Sequence, residues 1–175
     1  QVHAPGAALS YCNAGYNIAG RVVEILRGVT WEAAIRDHIV APLDLHTTAT
    51  LPEDAILHRV AIGHRADPDG EPIQTTTWSV PRSSGPSAAV ATTANDLLTF
   101  AAQFLGGSDG RMLSPQSVRA MTTDGIPVPL PGMGITSWGL GWFHSNWDGH
   151  PVIGHDGTSS GQRAYVRLFP TTISQ

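Results

Sequence analysis

The stretch GHDGTSSG, residues 154–161, contains two overlapping motifs with different consequences for the fold. Its last five residues, GTSSG, match the G-x-S-x-G pattern, in which a serine nucleophile, here Ser159, sits on a sharp turn from a strand into a helix. Its middle residues, His155, Asp156 and Gly157, form a separate H-D-G sequence. The residues around this stretch indicate which of the two motifs is functional.

The residues after Ser159 argue against a serine nucleophile at this position. In the hydrolase fold that uses such a turn, the serine is followed along the chain by an Asp or Glu and then by a His. The sixteen residues after Ser159 include no Asp, Glu or His, and the segment 162–169 (QRAYVRLF) alternates as a strand does. We therefore interpret residues 157–161 as a Gly/Ser connection between two strands.

The first part of the chain has the periodicity of helices. Ile18, Val22, Ile25 and Leu26 recur at helical spacing. Asn13 is a residue type that caps helix starts, Gly28 a type that ends helices, and Thr30 caps the next helix. On such signals we predict helices over residues 14–27, 31–40, 95–105 and 114–121. We predict a hairpin over 61–77, around the turn sequence DPDG, and Pro/Gly-rich loops over 79–88 and 124–137.

From residue 138 onward the period changes to two. Trp138, Leu140 and Trp142 alternate along one segment, and the segments 151–155 and 163–169 follow it as further strands. The prediction is an α+β chain, mostly helical over residues 1–137 and made of antiparallel strands over 138–175. Three strands with no helix after them make an incomplete sheet, so we expect further strands from residues outside this chain.

Composition excludes several classes of function. A hydrophobic fraction of 41% and a net charge of −4 are typical of a globular protein, and no basic block predicts a nucleic-acid surface. No apolar run reaches the roughly 20 residues of a membrane span. The eight histidines and one cysteine do not form a metal-binding motif, so we expect neither metal nor cofactor. All ten basic residues are arginines, so any catalytic lysine must come from outside the chain.

Five short motifs follow one another in a characteristic order. They are Tyr11-Cys12-Asn13, APLDL at 41–45, ATTANDL at 91–97, GLGW at 139–142 and GHDG at 154–157. Together they resemble the serine β-lactamase and penicillin-binding protein superfamily, and most of all its class C-like β-lactamase and esterase branch. The resemblance covers nearly the whole chain. It implies that the helical and strand regions belong to one β-lactamase/transpeptidase-like domain, truncated at both ends.

The resemblance also implies roles for individual residues. The family uses a Ser-x-x-Lys nucleophile, a Tyr-x-Asn and a Lys/His-x-Gly. Tyr11 and His155 would then be catalytic, with Tyr11 as proton acceptor and His155 in place of the lysine. Asn13, Gly157 and Thr158 would bind substrate, the last through an oxyanion-hole N–H. Taken singly, Tyr11 also fits an aromatic residue at a helix boundary, and Asn13 a simple helix cap.

The implied function is acyl transfer by a serine hydrolase through an acyl-enzyme. The substrate would be a small ester, β-lactam or peptide, as for an esterase, a β-lactamase or a D-Ala peptidase. The alternative is a non-catalytic, penicillin-binding-like module. We expect the chain alone to be inactive and its partner to be the remainder of its own polypeptide, and the resemblance favours a periplasmic or secreted location. Asp156 departs from the Thr or Gly common in the motif, which puts a preference for carboxylate-bearing β-lactams in doubt.

Overall fold

The structure, a computed structural model, describes residues 3–78, 80–106, 110–123, 125–128 and 134–170. The helices are α1 (Asn13–Arg27), α2 (Trp31–Ile35) continued by a π-helical turn (Arg36–Val40), α3 (Pro52–Ala55), a 3₁₀ turn (Arg82–Ser84), α4 (Gly85–Ala88), α5 (Ala94–Ala102) and α6 (Pro115–Thr122). The strands are β1 (His64–Ala66), β2 (Pro72–Gln74), β3 (Ile126–Pro127), β4 (Ile135–Trp138), β5 (Phe143–Trp147), β6 (His150–Ser159) and β7 (Gln162–Leu168).

The strands form two sheets. The small one is the antiparallel hairpin β1-β2, which joins His64–Ala66 to Pro72–Gln74 around the predicted turn. The large one has the order β3-β4-β5-β6-β7, so neighbours in the sequence are neighbours in the sheet. The predicted α+β class, with helices first and an antiparallel sheet last, is therefore confirmed.

Three predicted segments differ from the structure. The large sheet has five strands rather than three among the described residues, because the predicted loop 124–137 supplies β3 and most of β4. The alternating residues Trp138 and Trp142 do not share a strand. Gly139 N–H donates to the Trp142 carbonyl at 2.7 Å, and Gly141 adopts a φ of +89°, which closes a turn there. The predicted loop 79–88 contains the 3₁₀ turn and α4.

The chain divides into two compact units that interleave along the sequence. The first consists of residues 1–11, 99–156 and 165–175, and the second of 12–98 and 157–164. In the first unit, residues from α6, the sheet and the end of α5 form the core: Ala101, Phe104, Val118, Trp142, Ile153 and Leu168. The rings of Phe104, just after α5, and Trp142, just before β5, meet edge to face with centroids 5.0 Å apart, a favoured aromatic geometry.

In the second unit, α1 packs on α2 and α4 through a glycine. A Cβ at Gly20 would lie 2.2 Å from Cγ of Pro86, so only glycine allows the helices to approach this closely. Trp31 of α2 is buried beside them. The side of α1 that packs is therefore not the apolar stripe that the sequence predicts. Ile25 and Leu26 of that stripe are 66% and 78% exposed.

The helix ends agree with the prediction in two of three places. Gly28 ends α1 in the left-handed region with a φ of 69°, and the Thr30 hydroxyl accepts from the Ala33 N–H at the start of α2. Asn13 does not cap α1, however. Cys12 occupies the cap position in an extended conformation, and Asn13 is the first helical residue. The Asn13 side-chain amide therefore does not cap the helix, contrary to what the sequence predicts.

In the part of the chain that the structure describes, no helix is long and apolar enough to cross a membrane.

Candidate functional site

The rings of Tyr11 and His155 lie side by side in the first unit. Their centroids are 6.3 Å apart with the planes tilted by 36°, although the residues are 144 positions apart in the sequence. Trp138 contacts both edge to face, with centroids 5.7 Å from each ring. Tyr11 is 57% exposed and His155 is half-buried. The three rings therefore form a cluster open to solvent, in which the Tyr11 side chain is accessible to a ligand.

The sheet positions this cluster through a tightly packed aromatic neighbour. Trp138 at the end of β4 pairs with Phe143 of β5, which in turn pairs with Gly154, the residue before His155. A Cβ at Gly154 would lie 2.8 Å from the Phe143 ring and 2.6 Å from the Val166 carbonyl. Gly154 is thus required by packing, and the buried Phe143 ring sets the position of β6 relative to Trp138.

Asp156, the unusual residue of the H-D-G motif, is paired. The Arg167 guanidinium of β7 donates to both carboxylate oxygens of Asp156, with Nη2 at 3.2 Å from Oδ2. Arg167 also stacks over the rings of Phe143 and Tyr165, at 4.7 and 5.9 Å from their centroids. The negative charge of Asp156 beside His155 is therefore balanced by Arg167, whose side chain is held by these contacts.

Beyond Gly154, β6 continues without β5. The β5 ladder ends at the Phe143–Gly154 pair, whereas β6 runs on to Ser159. Gly157 and Thr158 lie on this extension and are exposed. A Cβ at Gly157 would meet only the Cβ of Ala164, at an ordinary 3.8 Å. Contacts with the residues that the structure describes do not require a glycine here, unlike at Gly154.

The structure distributes the other predicted site residues as follows. It brings Tyr11 and His155 together in the first unit, whereas Asn13, Gly157 and Thr158 belong to the second. Asn13 is exposed in the first turn of α1, two residues after Tyr11. Cys12 between them is exposed as well. The proposed roles of all five site residues remain predictions.

Ser159 lies in a hairpin. It ends β6, residues 160 and 161 form the turn, and β7 starts at Gln162, so a strand and not a helix follows the serine. Gly161 has a φ of +70°, which suits it to the turn. The predicted connection between two strands is confirmed, but it is shorter than predicted: residues 157–159 belong to β6, and only 160 and 161 form the turn. The strand-to-helix turn that a nucleophilic serine would need is absent at this place.

One serine–histidine contact was not predicted from the sequence. Ser137 Oγ and His144 Nδ1 lie 2.8 Å apart across β4 and β5. Burial lowers the pKa of His144, and its Nε2 is buried without a hydrogen-bond partner among the described residues. A catalytic histidine needs a third group that orients it and stabilises its charged form. No such group contacts the pair among the residues that the structure describes, so we interpret it as a structural contact. It was missed because the sequence predicted a loop over 124–137.

No group of three or more His, Cys, Asp or Glu side chains that could hold a metal ion occurs within residues 3–78, 80–106, 110–123, 125–128 and 134–170.

Comparison with known proteins identifies relatives over nearly the full chain. A family model described as Beta-lactamase matches residues 1–172. A curated relative, penicillin-binding protein 4 from Amycolatopsis lactamdurans, is 39% identical over 172 residues, which is 95% of this chain and 45% of that protein. The chain thus spans about half the length of this relative.

Solved structures share the fold. An octameric penicillin-binding protein homologue from Pyrococcus abyssi matches with a TM-score of 0.85 and 24% identity, covering 97% of this chain and 37% of that one. A D-stereospecific amidohydrolase from Streptomyces sp. matches with a TM-score of 0.78 and 23% identity, over 96% and 48% of the two chains. D-amino acid amidase from Ochrobactrum anthropi SV3 matches with a TM-score of 0.72 and 23% identity, over 91% and 47%.

Proposed function

The chain belongs to the β-lactamase family of serine hydrolases, and from this premise we propose that it supplies the Tyr-x-Asn and His-x-Gly side of an acyl-transfer site. The nucleophilic Ser-x-x-Lys comes from residues outside 1–175, because this chain contains no lysine. The observation that carries the proposal is the approach of the Tyr11 and His155 rings to a centroid distance of 6.3 Å. Residues 144 positions apart in the sequence meet in one cluster in which Tyr11 is exposed.

The chemistry follows from what each group can donate or accept. A serine hydroxyl needs a proton acceptor beside it to attack a carbonyl carbon near neutral pH. A phenol, with an ordinary pKa of about 10, fills that role where positive charge or hydrogen bonds favour its phenolate. In the proposed site the absent lysine and His155 supply that environment for Tyr11. Asn13 offers both a donor and an acceptor to a substrate amide.

The reaction proceeds in two balanced steps. The serine oxygen bonds to the acyl carbon, the hydroxyl proton passes to Tyr11, and the leaving amine or alcohol departs with that proton. Water then attacks the acyl-enzyme, gives its proton to Tyr11, and the serine is released protonated. The backbone N–H of Thr158 donates to the carbonyl oxygen as it becomes negative. The names of the relatives favour an amide or a β-lactam as substrate, and the sequence resemblance adds a small ester.

A second candidate is a ligand-binding module without catalysis. The observation in its favour is the absence of lysine from residues 1–175, which leaves this chain with the proposed binding residues and without the Ser-Lys pair. The two candidates differ in whether a covalent acyl-enzyme forms.

The test is covalent labelling of the longer protein that contains this chain. With fluorescent penicillin or a fluorophosphonate, we expect one label per molecule on a serine outside 1–175, three residues before a lysine. Tyr11→Phe should slow labelling and ester hydrolysis by about 10²–10⁴-fold, the usual worth of general-base help. Ser159→Ala is the control and should react as the parent does. Reversible penicillin binding without any label would support the binding module, and a label on Ser159 would refute the proposal.

A further inference from the structure

The turn between β6 and β7 is held by hydrogen bonds from a distant part of the second unit. His64 N–H, at the start of β1, donates to the Gly161 carbonyl at 3.0 Å. The Thr75 hydroxyl, directly after β2, lies 3.3 Å from the Ser160 carbonyl and 3.0 Å from that of Gly63. The ends of the β1-β2 hairpin are therefore hydrogen-bonded to the two residues that follow Ser159.

Two glycines allow this contact. Gly63 is buried, and a Cβ there would lie 1.9 Å from the Ser160 carbonyl oxygen. A Cβ at Gly161 would lie 2.6 Å from both the amide nitrogen and the carbonyl oxygen of His64. Real Cβ atoms are not found so close to backbone, so the two segments touch main chain to main chain. Such a contact leaves the turn little freedom to shift.

A second set of hydrogen bonds stabilises the β6-β7 turn. The Gln162 side-chain amide donates to the Ala61 carbonyl at 3.1 Å, and the Trp78 indole N–H donates to the same oxygen at 2.9 Å. Segments on both sides of the β1-β2 hairpin, residues 61–64 and 75–78, are thus tied to one end of the β6-β7 hairpin. The tip of the β1-β2 turn takes no part in these bonds.

We propose that Thr75 and Gly63 are positioning residues for the acyl-transfer reaction: they fix the end of β6 and so the direction of the Thr158 N–H. Thr158 lies two residues before Ser160, on the part of β6 that β5 does not pair. Without the hydrogen bonds to the turn, β7 would be the only described strand that holds this end of β6. The inference rests on the proposed function, since it assigns a purpose to a backbone donor of that site.

The expected size of the effect follows from oxyanion-hole energetics. Removing one donor costs about 10²–10³-fold in kcat. A misplacement of about 1 Å costs up to about 10²-fold. Loosening a donor without removing it should therefore cost about 10- to 100-fold in kcat. KM should change little, because the interaction forms with the developing negative charge and not with the ground-state carbonyl.

The experiment compares threonine variants in the longer protein. Thr75→Val removes the hydroxyl at nearly constant shape and should lower kcat about 10- to 100-fold, with KM within about twofold. Thr75→Ser keeps the hydroxyl and should restore kcat. Thr76→Val is the matched control, because the neighbouring Thr76 is exposed, and it should behave as the parent. Gln162→Leu, which removes a separate bond to the same turn, is the second variant should Thr75→Val fold poorly.

Thermal unfolding and amide hydrogen exchange separate positioning from stability. Peptides covering 157–161 should exchange faster in Thr75→Val than in Thr76→Val. A kcat for both Thr75→Val and Gln162→Leu equal to that of the control would overturn the inference, as would a loss of kcat fully matched by loss of folded protein. Absence of any covalent label on the parent would instead defeat the proposed function, and the inference with it.

Discussion

At the scale of residues, the two glycines of GHDG have different reasons to be glycine. Gly154 has no room for a side chain, since the Phe143 ring and the Val166 carbonyl occupy the space. Gly157 has room, lies on the exposed extension of β6, and does not adopt a positive φ. In the proposed site, we expect its small size to let the substrate approach the strand closely.

The contrast gives a paired prediction for the longer protein. Gly154→Ala should lower the free energy of unfolding by about 1–3 kcal/mol, the usual cost of overpacking. Gly157→Ala should change it by less than about 0.5 kcal/mol, as an exposed substitution does, and yet reduce kcat/KM. Urea unfolding and ester hydrolysis measure both. Equal destabilisation by the two changes would contradict the packing argument.

His144 predicts a dependence of stability on pH. Burial lowers its pKa below the ordinary 6.5, so the unfolded chain binds a proton more readily than the folded one. Stability must then rise with pH across the window just below 6.5 and fall as the solution becomes more acidic. His144→Gln should flatten the dependence of the unfolding free energy on pH in that window. An unchanged slope in His144→Gln would exclude this histidine as its source.

At the scale of elements, α1 shows where periodicity misleads. The stripe of Ile18, Val22, Ile25 and Leu26 identifies the helix correctly, yet these residues are exposed by 47–78% and the described protein packs on the side of Gly20. An apolar surface this continuous is unusual on a monomer. We expect residues of the longer protein to cover it.

Leu26 tests that expectation. In the longer protein, Leu26→Ala should cost about 2–5 kcal/mol of unfolding free energy, as for a buried leucine. In the isolated 175-residue chain, where the side chain is 78% exposed, the cost should stay within about 0.5 kcal/mol. Chemical unfolding of both proteins makes the comparison. A small effect in both would mean that the stripe is not a packing surface.

The sequence was informative where the signal is local or belongs to a motif. The cap at Thr30, the end at Gly28 and the turn at 67–70 depend on neighbouring residues and were predicted. The encounter of Tyr11 with His155 followed from motif order alone, because nothing local links them. Strands β3 and β4 were missed, since Pro and Gly around short strands indicate a loop. Strand β5 was missed because the alternation at 138–142 predicted a strand where the chain turns, and the Ser137–His144 contact between β4 and β5 was missed with them.

At the scale of the whole molecule, the chain contains the recognition half of the proposed chemistry and not its nucleophile. We predict that the isolated 175-residue polypeptide is not labelled by fluorescent penicillin or fluorophosphonate. Adding the remaining segment of the longer protein as a second chain should restore labelling. Stoichiometric labelling of the isolated chain, mapped by mass spectrometry to a serine within 1–175, would show that the site is complete without a lysine.

The backbone contact between Gly63 and Ser160 also constrains how such sequences diverge. A side chain at 63 collides with the carbonyl of 160, and one at 161 collides with His64, so neither position can drift alone. The tip of the β1-β2 hairpin, residues 67–70, bears no such restriction. Among homologues we expect this tip to gain and lose residues freely while glycine persists at both ends of the contact. Length variation would then be confined to the tip, while the rigid backbone contact beneath it stays the same.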